Sequence, residues 1–163
     1  MTQRRPYFSN MFRCGALQLE TDRWRGTRWM HCGTRPNNPV PGVAGDCFAW
    51  LHILRAVGQI PASFQLPEYR RFEAINGPAI SALQGGIEAS GYFDVLAEHA
   101  PLEIGDVVLL KTGNGGGHAG IICRNPPPVF AHVGPRGWIE EPLTNDQLRP
   151  KILACYRPVE VPA

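Results

Sequence analysis

Three side chains in this sequence have the types and the settings for nucleophilic chemistry: Cys47, His118 and His132. Cys47 follows Gly45-Asp46 and precedes apolar residues at Phe48, Leu51, Leu54 and Val57, a helical spacing closed by Gly58 and Pro61. Asp46 is read as the N-cap, which puts Cys47 at or next to the first helical position. There the positive end of the helix dipole favours the thiolate, the form that attacks carbonyl carbon. Taken alone, the stretch better suits a buried cysteine that only packs. His118 ends the glycine-rich run 113–117 and opens the apolar segment Ala119-Gly120-Ile121-Ile122-Cys123. A strand would hold its ring more firmly than a loop. The alternatives are a solvated loop histidine and a phosphate cradle, for which the P-loop lysine pattern is missing. His132 lies inside the apolar segment Val129-Phe130-Ala131-His132-Val133. A hairpin over 124–128 would set the two strands side by side, though pairing alone does not make the imidazoles meet. Where they do meet, His132 orients the ring of His118, the third role in a nucleophile–base–orienter site.

The elements that must position these groups follow from pattern. The chain has 163 residues, 44% hydrophobic and 18% charged, which suits one globular domain. A formal net charge of +2 gives no case for nucleic acid, and the early arginines 4, 5, 13, 23, 25 and 28 read as solvated surface. Five scattered cysteines argue against a disulfide framework and for a reducing compartment during folding. Cys14 with His31-Cys32 resembles a zinc corner only loosely, since a fourth ligand is not evident, and no metal or cofactor is expected. The first residues carry charge without an apolar signal-peptide core, and no run reaches membrane-spanning length. We therefore expect cytoplasmic synthesis with no membrane anchor. Helices are expected at 18–24, 46–57, 68–75 and 78–90, with a Pro/Asn/Gly loop over 34–45. Strands are expected near 92–96, 106–111, 118–123, 128–133, 137–141 and 152–157. Helices followed by strands predict an α+β fold, the helices packed on a C-terminal antiparallel β-meander. Residues 1–17 read as an extended N-terminal extension and 159–163 as a tail. His52 and His99 read as structural or surface residues, Cys123 and Cys155 as packing residues.

Asp46-Cys47 at a helix start, Gly105-Asp106 before an apolar strand, His118-Ala119-Gly120-Ile121 and Phe130-Ala131-His132 occur in a telling order. The set resembles the NlpC/P60 family of papain-like cysteine peptidases. Trp24-Arg25-Gly26-Thr27, the segment from Gly137 to Leu143 and the closing Tyr156-Arg157-Pro158 fit as well. The likeness spans residues 18–158 and is greatest to the short forms found in tailed phages and gene transfer agents. It implies a papain-like fold, with Cys47 as nucleophile, His118 as general base and His132 as orienting residue. It also implies hydrolysis of amide bonds in peptidoglycan stem peptides. The family's tyrosine ahead of the cysteine loop has no counterpart in 28–31. Trp29 and His31 stand there instead and, with Asp46, are the candidate substrate or oxyanion residues.

The expected function is therefore a peptidoglycan endopeptidase carried in a virion tail, with other tail-tip proteins as partners. A second expectation is a structural tail-tip protein that keeps the fold with little activity. A lipid-handling acyltransferase or thioesterase is a third, and it would need an apolar groove or an anchor.

Overall fold

The computed structural model describes residues 4–30, 40–65, 78–112, 117–143 and 146–161. Among these are three α-helices, α1 (Met11–Arg23), α2 (Ala49–Ala56) and α3 (Pro78–Ala89). The eight strands are β1 (Arg28–Trp29), β2 (Ala44–Gly45), β3 (Phe93–Val95), β4 (Val107–Lys111), β5 (Gly117–Arg124), β6 (Val129–Gly134), β7 (Gly137–Pro142) and β8 (Ile152–Pro158). The fold is α+β, and its main sheet is antiparallel with six strands. The helix expected at 68–75 and the first half of the loop over 34–45, residues 34–39, lie outside the described residues.

The sheet runs in the order β3-β8-β4-β5-β6-β7. Strands β4 to β7 are the expected meander, but β8 returns to lie between β3 and β4. Besides its backbone ladders, a largely buried ion pair ties it there. The Asp106 carboxylate, 1% exposed, accepts from Arg157 Nε at 3.0 Å and Nη2 at 2.8 Å, and from the Glu103 N–H at 2.7 Å. Burial pushes the Asp106 carboxyl up, and Arg157 with the Glu103 N–H pulls it back. Gly105, just before it, has φ +92°, and a Cβ there would stand 2.0 Å from the Phe8 ring. The Gly105-Asp106 pair thus seats the N-terminal arm and locks the last strand at one point.

Both faces of the sheet are covered, which explains why β4 and β5 read as unbroken apolar runs. One face carries Val107, Leu109, Ala119, Ile121, Ala131 and Val133 against Leu17, Trp24, Trp50, Ile53, Leu54 and Ile87 from the helical layer. Leu17, Ile53 and Leu54 are fully buried there, and each such side chain contributes about 2 kcal/mol. The other face carries Val108, Leu110, Ile122 and Phe130 under Leu143, with Leu102, Leu148 and Ile152 at its margin.

Two helix starts differ from expectation. α1 begins at residue 11, not 18, because Asn10 caps it by accepting from the Arg13 N–H at 3.0 Å. Its buried side is Leu17, Glu20 and Thr21, while Phe12 is 93% exposed, so polarity and burial are partly inverted along it. Residues 6 and 7 ahead of it join the sheet margin, where the Tyr7 N–H donates to Pro158 O at 2.8 Å. α2 begins at Ala49, two residues beyond Cys47. The Asp46 carboxylate accepts the Phe48 N–H at 2.9 Å and the Asp46 carbonyl accepts the Ala49 N–H at 3.0 Å. These bonds make residues 46–48 a turn ahead of the helix instead of its first turn. α3 runs through Gly85-Gly86 unbroken. Among the described residues no helix is long and apolar enough to cross a membrane.

Removing the cation of the buried pair leaves the Asp106 charge uncompensated. Arg157→Ala is expected to lower stability by about 3 kcal/mol, read as a fall in the urea midpoint at unchanged slope.

Candidate active site

His118 is the second residue of β5 and pairs with Leu110 of β4, which places its ring on the Phe130 face of the sheet. The β5–β6 register Ile121↔Ala131 sets His132 on that same face, two residues along from His118. The two imidazoles meet: His118 Nε2 and His132 Nδ1 are 2.6 Å apart, with the rings nearly perpendicular at 81°. Phe130 supports both. It stacks on His132 at 4.8 Å and meets His118 edge-on at 6.4 Å. Gly120, two residues on from His118 on this face, leaves the space that the Phe130 ring uses. A Cβ there would come within 2.5 Å of the Phe130 ring and of Ala131 O.

The chain of contacts continues to a residue that the sequence did not single out. His132 Nε2 donates to Glu141 Oε1 at 2.9 Å. Strand β7 holds two adjacent glutamates, and register divides their work. Glu141 pairs with Phe130 and so shares the histidine face, whereas Glu140 pairs with Ala131 and faces the helical side. Glu140 accepts there from Arg25 Nε at 3.1 Å and Trp138 Nε1 at 3.0 Å, and also from Arg124. Alternation along β7 was the available signal, but only the register tells which glutamate meets His132.

Desolvation dominates the electrostatics. Burial, with His132 second, pushes His118 down to about 3. Burial also pushes His132 down, opposed by the Glu141 hydrogen bond. Both rings are therefore neutral near pH 7. His52, on α2, is pushed down to about 4 by burial and by Arg55, and its Nε2 is buried without a partner among the described residues. That places it in structure. His99 is exposed.

Cys47 sits in the turn before α2, partly buried against the helical-side core. β1 and β2 deliver it. Trp29 pairs with Gly45, and the Met30 N–H donates to Gly45 O at 2.7 Å. This small parallel sheet abuts β6 and β7, where the Trp138 N–H donates to Thr27 O at 2.9 Å. Gly137 permits that approach, because a Cβ there would stand 2.6 Å from Thr27 O. The β6–β7 turn, the start of β5 and the β1–β2 pair thus gather at one end of the sheet. His118 and His132 stand on the face away from α2, whereas Cys47 packs on the helical side. Trp29, 42% exposed, is one residue across from Asp46. Asp46 is buried and holds the turn. His31 lies outside the described residues.

The remaining thiols differ in setting. Burial pushes Cys123 and Cys155 up to about 11, and raises Cys14 as well. Among the described residues no three His, Cys, Asp or Glu side chains gather as a metal site. No protein-family model and no curated protein matches this chain.

Two outcomes follow. Gly120→Ala forces Phe130 from its seat beside both rings and should cost about 1–3 kcal/mol in a urea titration. The folded-state shifts of His52, His118 and His132 are all downward, so each ring resists protonation in the fold. Their contribution is full above the unfolded value of about 6.5 and is lost as pH falls toward the folded values. Stability should therefore drop between about pH 6.5 and 4, with a shallower slope in His118→Gln.

Proposed function

We propose that the protein is a cysteine hydrolase of papain-like type, related to NlpC/P60 peptidases, that cleaves amide bonds in peptidoglycan stem peptides. The observation that carries this reading is the hydrogen-bonded pair of His118 and His132, with β1, whose partner β2 leads into the Asp46-Cys47 turn, abutting β6 and β7. A paired imidazole with one nitrogen engaged is what a base needs if it is to be held in one orientation. Cys47 is the nucleophile. His118 takes its proton, and the thiolate attacks the amide carbonyl to form a tetrahedral oxyanion. The Cys47 N–H, at the mouth of α2, is the proposed donor to that oxygen. His118 then returns the proton to the leaving amine, and water, deprotonated by the same ring, releases the acyl group. Trp29, exposed beside the turn, is the proposed wall for the substrate backbone, in place of the family's tyrosine.

The setting we propose is a virion tail, where the enzyme acts locally on the wall beside other tail-tip proteins. It rests on the likeness to short phage and gene-transfer-agent forms and is tested by looking for the protein in purified particles.

Purified sacculi are the decisive substrate. Wild-type protein should release muropeptides identifiable by mass, while Cys47→Ala and His118→Ala should fall by about 10³-fold or more. Equal release from wild type and Cys47→Ala, or none from either, refutes the hydrolase. Iodoacetamide near neutral pH should label Cys47 before Cys123 and Cys155, whose thiols burial holds protonated.

A further inference from the structure

The pair of histidines does not end the chain of contacts, and its last member has a direction built into it. A carboxylate offers only acceptors. Glu141 Oε1, 2.9 Å from His132 Nε2, therefore requires that nitrogen to carry a proton. A neutral His132 then has its lone pair on Nδ1. That nitrogen, 2.6 Å from His118 Nε2, accepts, so the proton between the rings belongs to His118 Nε2. A neutral His118 protonated at Nε2 has its lone pair on Nδ1, the nitrogen that His132 does not engage.

We infer that Glu141 is a positioning residue that fixes the tautomer of His132 and, through it, presents His118 Nδ1 as the basic nitrogen of the site. The inference rests on the hydrolase reading only for what the basic nitrogen is used for. The tautomers themselves follow from the contacts. Three further features make Glu141 suited to the task. It stands on β7 opposite Phe130, so sheet pairing holds its backbone. Its side chain is 27% exposed against 10% for His132, so it keeps contact with water and an ionised carboxylate there is not fully desolvated. The arginines that neutralise Glu140 contact that residue and lie toward the other face. Without Glu141, His132 is free to place its proton on Nδ1 and donate to His118 Nε2. That reversal moves the His118 proton to Nδ1 and removes the lone pair that would accept the thiol proton.

The experiment is a long-range proton–nitrogen correlation spectrum of protein labelled with ¹⁵N at histidine, recorded near pH 7.5, where unperturbed imidazoles are neutral. Wild type should show His118 and His132 both as Nε2–H tautomers. Glu141→Ala should shift His132, and with it His118, toward mixed tautomers. Glu141→Gln keeps an accepting oxygen and should retain more of the wild-type pattern. With sacculi, kcat in Glu141→Ala should fall by at least about 10-fold with little change in KM, as expected when a base is offered in the wrong tautomer. An Nδ1–H signal at either histidine in wild type, or a pattern in both variants identical to wild type, overturns the inference. The predicted tautomers in a protein that releases no muropeptides uphold the role of Glu141 and remove the hydrolase.

Discussion

Everything on the histidine side of this molecule depends on the register between β5 and β6. The pairing Ile121↔Ala131 puts Ala119, Ile121, Ala131 and Val133 under the helices, and His118, Ile122, Phe130 and His132 on the far face. A strand has a side-chain period of two, so a slip of one residue would exchange the sets. His132 would enter the helical core, and Ala131 would face His118. The burial of the aliphatic set therefore does more than stabilise the sheet. It fixes the meeting of the two imidazoles, and Gly120 supplies the gap in which the Phe130 ring fits beside them. The same argument reaches β7. Once Phe130 is on the far face, its partner Glu141 is there too, and Glu140 is left to Arg25, Arg124 and Trp138.

The electrostatic consequence is a short polar chain with charge at one end. Two imidazoles in a poorly hydrated setting resist protonation, and a single hydrogen bond joins them. The carboxylate is the more exposed terminus. This ordering avoids the cost of a desolvated charge in the middle of the sheet while still giving the chain a polarity. It also bears on how a thiol would be activated. A resting His118 that is neutral can take a proton as attack begins, so a preformed thiolate–imidazolium pair is not the starting state on the proposed reading.

How much of this was legible depended on whether a feature was local. Strands β3 to β8 fall close to the segments expected for them, because β4, β5, β6 and β8 are mostly apolar and glycine-containing turns set off β3 and β7. Much of α1 was not legible. Met11, Phe12 and Leu19 are exposed while Glu20 and Thr21 are buried, so the usual link between apolarity and burial fails there. β1 and β2 have two residues each, too few for any periodicity, yet they carry Cys47 to its place. The site of β8 rests on pairings across the chain, among them Arg157 meeting Asp106 from 51 residues away, which no local pattern encodes. His118 and His132 were recognisable by type and setting. Glu141 was not, since it is one of two adjacent glutamates and only tertiary pairing distinguishes them.

A sheet covered on both faces leaves little room for polar chemistry at its middle. The helices and their core occupy one face, and Leu143 with its neighbours covers much of the other. Polar side chains then collect toward strand ends, where backbone leaves the ladder. His118 is at the start of its strand, His132 is near the end of its own, and the Asp46-Cys47 turn follows directly on β2. The two short strands have a clear purpose in this light. They fasten a turn from the helical layer to the end of the main sheet through Thr27 and Trp138, and glycine at 137 is what lets the backbones come that close. The arrangement holds groups from separate layers by backbone hydrogen bonds and not by long side chains, which gives a site little freedom to drift.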